Sequence, residues 1–248
     1  MRIKRIWALV IAGLLLSVLM LPQLALADPA AISLSETSGH CGATIEGTAT
    51  VDSAGTYHIC WNSRTSDNVE DTITPTAAGN YSVEFVVPVT VKGTYSVYLT
   101  AQNYSQVAST NFTVEPFVEI DPEEGPVGTQ VNFTGTGFAA SQDIQVSFLG
   151  AATAGTANTV GSWTLNYTVP ATPASGYTFD VEYEEGTTWY KLLPGKNFEV
   201  TPEIAAPGSG RVGQTIQVEG TGFGSEENNI KVIFRRQGTT ADTVAKDG

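Results

Sequence analysis

The sequence predicts an all-β chain of tandem two-sheet sandwiches, the last of them incomplete. Three observations carry this. Blocks of sequence return at a spacing of about 85 residues, apolar side chains alternate with polar ones inside each block, and no stretch after residue 27 shows the 3.6-residue period of an amphipathic helix.

The repeat is read first. GPVGTQVNFTGTGF at 125–138 returns as GRVGQTIQVEGTGF at 210–223, and Pro122 returns as Pro207. NFTVEP at 111–116 returns as NFEVTP at 197–202, and GNYSVEFVVP at 79–88 returns as GSWTLNYTVP at 161–170. GTYSVYLTA at 93–101 echoes GYTFDVEYE at 176–184. Four blocks in one order, with offsets of 82 to 86 residues, describe a unit whose loops vary in length. Within the blocks, Val131 and Phe133 point one way while Gln130, Asn132 and Thr134 point the other. Ile144, Val146 and Phe148 repeat the pattern, as do Trp163, Leu165, Tyr167 and Val169, and Phe179, Val181 and Tyr183. Side chains on a strand alternate between faces, so each run presents one apolar face to a second sheet. About seven strands in such a unit build a sandwich with its own core. The predicted organisation is 28–116, 117–202 and the first half of a third unit over 203–248. Pro116 and Pro202 stand in the short joints and limit bending there.

The first thirty residues are of another kind. Arg2, Lys4 and Arg5 precede an apolar run from Ile6 to Met20, and Ala25-Leu26-Ala27 offers a small-x-small cleavage pattern. This is the layout of a secretory signal peptide over 1–27, too short for a spanning helix. The expected protein is therefore secreted or at the cell surface, with no membrane insertion once the leader is removed. Its mature part has nine bases against 25 acids, a formal charge of −16. Binding to phosphate backbones needs clustered Lys and Arg, so nucleic acid and anionic membrane are excluded as partners.

The run Pro-x-x-Gly-x-x-Gly, followed by an alternating strand and Gly-Thr-Gly-Phe, stands at Pro122–Phe138 and again at Pro207–Phe223. It resembles the IPT/TIG domain, an immunoglobulin-like fold. The resemblance covers 117–248 well and 28–116 weakly, where Gly47-Thr48-Ala49-Thr50 replaces the motif. It implies spacing or binding modules without chemistry of their own. The alignment also places the start of a Trp-bearing strand after Gly248, so the third unit is expected to continue downstream.

Candidate chemistry is sparse. Cys41 and Cys60, two cysteines in one unit of an exported chain, are expected to form a disulfide. Cys41 aligns with Val127 and Val212 and so faces the core, whereas the inward set Tyr57, Ile59 and Trp61 puts Cys60 on the other face. Two free thiols, or a zinc site with the adjacent His40 and His58, are the alternatives. The paired spacing of zinc ligands is missing. Acidic residues cluster at Asp67-Glu70-Asp71, Asp121-Glu123-Glu124, Glu182-Glu184-Glu185 and Glu226-Glu227. Calcium at the second cluster is the sharper reading and solvated loops the plainer one, because no Asp-x-Asp-x-Asp-Gly loop occurs. No nucleophile–base set, phosphate loop or glycosidase carboxylate pair is visible, so no catalytic residue and no cofactor are expected. Trp189-Tyr190 offers an exposed aromatic pair for stacking on a sugar ring. Asn-x-Ser/Thr sequences at Asn80, Asn103, Asn111, Asn132 and Asn166 are acceptors if the source glycosylates exported proteins. Two functions remain open: a non-catalytic surface protein whose modules act as spacers or as adhesion and ligand-binding units for a glycan or protein, or the accessory modules of a secreted hydrolase whose catalytic domain lies beyond residue 248.

Overall fold

The computed structural model describes residues 29–224, Glu227, 230–235 and 242–247. The leader expected over 1–27 lies outside the described residues. Among them the chain is strand and turn, with a single 3-10 turn at Ser66–Asn68, and no helix is long and apolar enough to cross a membrane.

The first eight strands are β1 (Ala31–Leu34), β2 (Ser38–Gly39), β3 (Thr44–Val51), β4 (Tyr57–Trp61), β5 (Val69–Ile73), β6 (Gly79–Val86), β7 (Gly93–Ala101) and β8 (Gln106–Val114). They form a three-stranded sheet in the order β1-β3-β6 and a five-stranded sheet in the order β2-β8-β7-β4-β5. The next eight are β9 (Phe117–Asp121), β10 (Glu124–Gly125), β11 (Gln130–Thr136), β12 (Asp143–Phe148), β13 (Ala151–Thr156), β14 (Trp163–Thr168), β15 (Ser175–Glu185) and β16 (Thr188–Val200). Their sheets run β9-β11-β14 and β10-β16-β15-β12-β13. Element for element, the two sets have one topology. The weak motif in residues 28–116 therefore hid an arrangement that its alternating strands preserve.

In the 117–202 segment every alternating run predicted from sequence turns its apolar side inward. Val131, Phe133, Ile144, Val146, Phe148, Trp163, Leu165, Tyr167, Val169, Phe179 and Val181 are all buried, and Tyr183 packs against them. Phe179 is the centre. Its ring meets Phe133 at 4.9 Å, Tyr167 at 5.2 Å and Phe198 at 5.8 Å edge to face, and Phe148 at 4.5 Å tilted. Edge-to-face rings set a positive rim against a negative face, which adds to the burial energy and fixes the packing angle.

The Gly-Thr-Gly-Phe motif receives a physical account. Gly135 pairs with Trp163 across β11 and β14, and a Cβ on Gly135 would sit 2.1 Å from the indole Nε1. The absent side chain is what admits the ring. Gly137 has φ +71°, and a Cβ there would lie 2.6 Å from the Glu115 carbonyl oxygen. Phe138, fully buried, then packs edge to face on Trp163 at 5.6 Å.

The last elements are two separate ribbons. β17 (Glu203–Ala205) pairs with β18 (Glu219–Thr221), and β19 (Lys231–Arg235) with β20 (Asp242–Asp247). Ile204 lies opposite Gly220, as Val118 lies opposite Gly135. Gly222 has φ +75° and approaches the Thr201 carbonyl as Gly137 approaches that of Glu115. The burial differs. Ile204 is 60% exposed where its counterpart Val118 is fully buried.

Candidate functional site

The face that gathers ligand-type side chains is the outer side of the sheet β10-β16-β15-β12-β13. Its composition follows from register. With Phe179, Val181 and Tyr183 inward, Asp180, Glu182 and Glu184 of β15 must point outward. Glu184 pairs with Trp189 and Glu182 with Lys191 on β16, which places the indole and the ammonium on that same outer face. On the other side of β15, Gln145 of β12 pairs with Glu182, and Asp143 pairs with Thr156 of β13.

Trp189 is 42% exposed. It borders a shallow depression of about 340 Å³ formed with Asp143, Ile144, Ala154, Gly155 and Thr156. Small side chains on β13 leave this hollow beside the indole. The Thr156 hydroxyl donates to an Asp143 carboxylate oxygen at 3.1 Å, holding that acid in place. Lys191 is tied up by Asp180 at 2.6 Å. A fixed carboxylate acceptor beside an open aromatic plane suits a polyol with one apolar face, and it repels anions.

Tyr190 does not join this site. Neighbouring residues on a strand point to opposite faces, so Tyr190 turns away from Trp189 and stacks on Tyr183 at 6.0 Å. The two members of the expected Trp189-Tyr190 pair therefore stand on opposite faces of β16. Asp143, Gln145 and Thr156 were not marked by sequence, because a polar residue on an outward strand position looks like any other. Only the strand order brings them to Trp189.

The expected Cys41–Cys60 disulfide is not formed in this structure. Cys41 and Cys60 are both buried free thiols. Cys60 stands on β4 beside Thr100, its Sγ 3.7 Å from the Thr100 hydroxyl, opposite in facing to its inward neighbours Ile59 and Trp61. Cys41 lies in the turn before β3, where its thiol donates to the Thr90 carbonyl at 3.4 Å. Burial pushes the Cys60 thiol up from its ordinary value.

The histidines are engaged singly. His40 Nδ1 lies 2.9 Å from the Cys41 carbonyl oxygen, and His58 Nδ1 lies 2.9 Å from the Thr72 hydroxyl. Among the described residues, no group of three or more His, Cys, Asp or Glu side chains converges as metal ligands. Asp121 and Glu123 instead line a groove of about 590 Å³ with Glu119, Asn132 and Lys196. The geometry adds nothing to the calcium reading at Asp121-Glu123-Glu124.

No curated protein matches the chain. Among solved structures, the Yersinia pseudotuberculosis adhesin InvE is similar at 15% identity and TM-score 0.28, over 68% of this chain and 58% of that one. The Escherichia coli adhesin FdeC is similar at 14% and 0.31, over 84% and 78%. SGBP-B of a Bacteroides ovatus mixed-linkage glucan utilization locus, solved with a mixed-linkage heptasaccharide, is similar at 14% and 0.32, over 75% and 50%. The chain thus spans little more than half of InvE, and all three superpositions are loose. The family comparison is more specific: the IPT/TIG domain family matches residues 117–193, from the start of β9 into β16, and includes the motif glycines and Trp189. Residues 117–193 of the second sandwich are thus similar to the IPT/TIG domain family.

Proposed function

We propose that the chain is an exported, non-catalytic surface protein whose immunoglobulin-like modules space and present binding faces, and that the outer face around Trp189 binds neutral saccharide. One observation carries the saccharide reading: an exposed indole lies beside a hollow that also holds the Asp143 carboxylate, fixed by the Thr156 hydroxyl. The basic head, apolar run and cleavage pattern before residue 28 support export. The formal charge of −16 over residues 28–248 and the carboxylates on the Trp189 face favour an uncharged ligand.

The test is binding of the intact chain from residue 28 onward to a panel of neutral glycans, with and without calcium. Trp189→Ala is expected to abolish binding to whichever glycan is retained, with the melting temperature unchanged. Absence of binding to every glycan in both conditions would refute the saccharide reading and leave spacing as the role of this module.

A further inference from the structure

A second concavity lies on the outer face of the first five-stranded sheet, and its chemistry is the reverse of that at Trp189. It is a depression of about 490 Å³ lined by Asn62, Ser63, Arg64, Tyr98, Asn103 and Tyr104. This volume is in the range of ligand sites. Every lining residue carries a polar group and none is aliphatic, so an apolar ligand finds no wall to bury against.

Arg64 is the distinctive member. Its guanidinium carbon stands 5.7 Å from the centroid of the Tyr98 ring, and the side chain is exposed. Among the described residues no carboxylate pairs with it; the two ion pairs found there are Lys92–Glu185 and Lys191–Asp180. In a mature chain with nine bases against 25 acids, a guanidinium oriented by an aromatic ring and left without an acid is a standing anion site. Its planar fork matches a carboxylate bidentately.

The backbone around it is held in an unusual conformation. β7 and β8 are joined by a tight turn in which Tyr104 N–H donates to the Ala101 carbonyl at 2.8 Å and Ala101 N–H to the Ser105 carbonyl at 2.9 Å. Three-residue hairpin loops of this kind end on a left-handed residue, normally glycine. Here that residue is Tyr104, at φ +62°. A second left-handed residue, Asn62 at φ +56°, borders the same depression from the end of β4. A bulky ring in the left-handed region costs stability, and such positions concentrate where a ligand is held. The strained turn sets the Tyr104 ring over His58 at 5.2 Å, which fixes it as a wall. Asn103 Oδ1 already accepts from Ser105 N–H and Oγ–H, so its amide N–H groups remain as donors.

We infer that this depression binds a carboxylated saccharide, of the uronic or sialic acid class. The carboxylate pairs with Arg64, a ring face stacks on Tyr98 or Tyr104, and hydroxyls meet Asn62, Ser63 and the Asn103 amide. The site is independent of Trp189, so either assignment can fail without the other.

The experiment uses the chain from residue 28 onward, made in a host that does not glycosylate Asn103. The probes are a tetrasaccharide of alternating glucuronic acid and N-acetylglucosamine, a sialylated trisaccharide, and the carboxyl-reduced form of each, titrated by calorimetry. At least one acidic probe is expected to bind, with its reduced form roughly tenfold weaker or more, because a charge-assisted hydrogen-bond pair is lost. Arg64→Gln should reproduce that loss and Arg64→Lys part of it, while Trp189→Ala leaves binding intact. Tyr104→Gly should weaken binding while raising the melting temperature, which a purely structural role for this residue does not predict. Failure of both acidic probes to bind, or equal binding by Arg64→Gln, overturns the assignment. Binding of a polyglutamate peptide with the same Arg64 dependence, and of neither saccharide, would overturn it in favour of an acidic peptide.

Discussion

Replacing Gly137 by Ala is expected to be among the most damaging single-methyl changes in the second sandwich. Two costs add. The residue has φ +71°, and the left-handed region costs a Cβ-bearing residue about 1–2 kcal/mol. The new Cβ would also lie 2.6 Å from the Glu115 carbonyl oxygen, against 3.4 Å or more for an ordinary contact. That neighbour is backbone, so it yields only by moving the start of β9, an overpacking cost of about 1–3 kcal/mol. Together they give about 2–5 kcal/mol, a large part of a typical domain stability of roughly 5–15 kcal/mol. For a module of this size the melting temperature would fall by about 8–40 °C. Hydrogen exchange of the β11–β16 amides in the intact chain reads the loss module by module, and thermal unfolding gives the midpoint. Gly137→Asn separates the two costs, since Asn tolerates the left-handed region but brings the same Cβ. A destabilisation by Ala below about 0.5 kcal/mol, within the range of an ordinary surface change, would refute the argument that the motif glycine exists for this backbone approach.

Other outcomes follow from the same geometry. Gly135→Ala should cost about 1–3 kcal/mol by displacing the Trp163 indole, and the emission of Trp163 should change with it, whereas an unaltered spectrum with full stability would contradict the packing. Phe179→Ala, at the meeting point of four rings, should cost about 3–5 kcal/mol in urea unfolding. Alkylation of the denatured, unreduced chain should modify both Cys41 and Cys60, and a mass two hydrogen atoms lighter with neither modified would restore the disulfide. Because burial raises the Cys60 thiol, its contribution to stability is full below the ordinary thiol value and is lost as pH rises through the raised one. Urea midpoints should therefore decline on the alkaline side more steeply than in Cys60→Ala. The carboxyl of Glu70 is likewise raised, by partial desolvation: a carbon-detected titration should place its midpoint above the usual carboxylate value, and a midpoint below it would contradict that desolvation.

Much of the architecture is readable from the residues alone. Alternation decides which side chains face inward, because a strand has only two faces and one of them must be dry. That logic places Val131, Phe133, Ile144, Val146, Phe148, Phe179 and Val181 in the core, where they lie, and puts Cys60 on the opposite side from Ile59 and Trp61. The Gly-Thr-Gly-Phe repeat marked special backbone positions, although not what each glycine makes room for. Tertiary structure decided the rest, since it depends on which strands become neighbours. Strand order turns Asp143, Thr156 and Trp189, up to 46 residues apart, into one face, and it separates Trp189 from Tyr190 although they are adjacent in sequence. It likewise gathers Arg64, Tyr98 and Tyr104 from β7, the β7–β8 turn and the segment after β4. Periodicity is a property of one strand, whereas a site is a property of several, and one sequence pattern is compatible with many neighbourhoods.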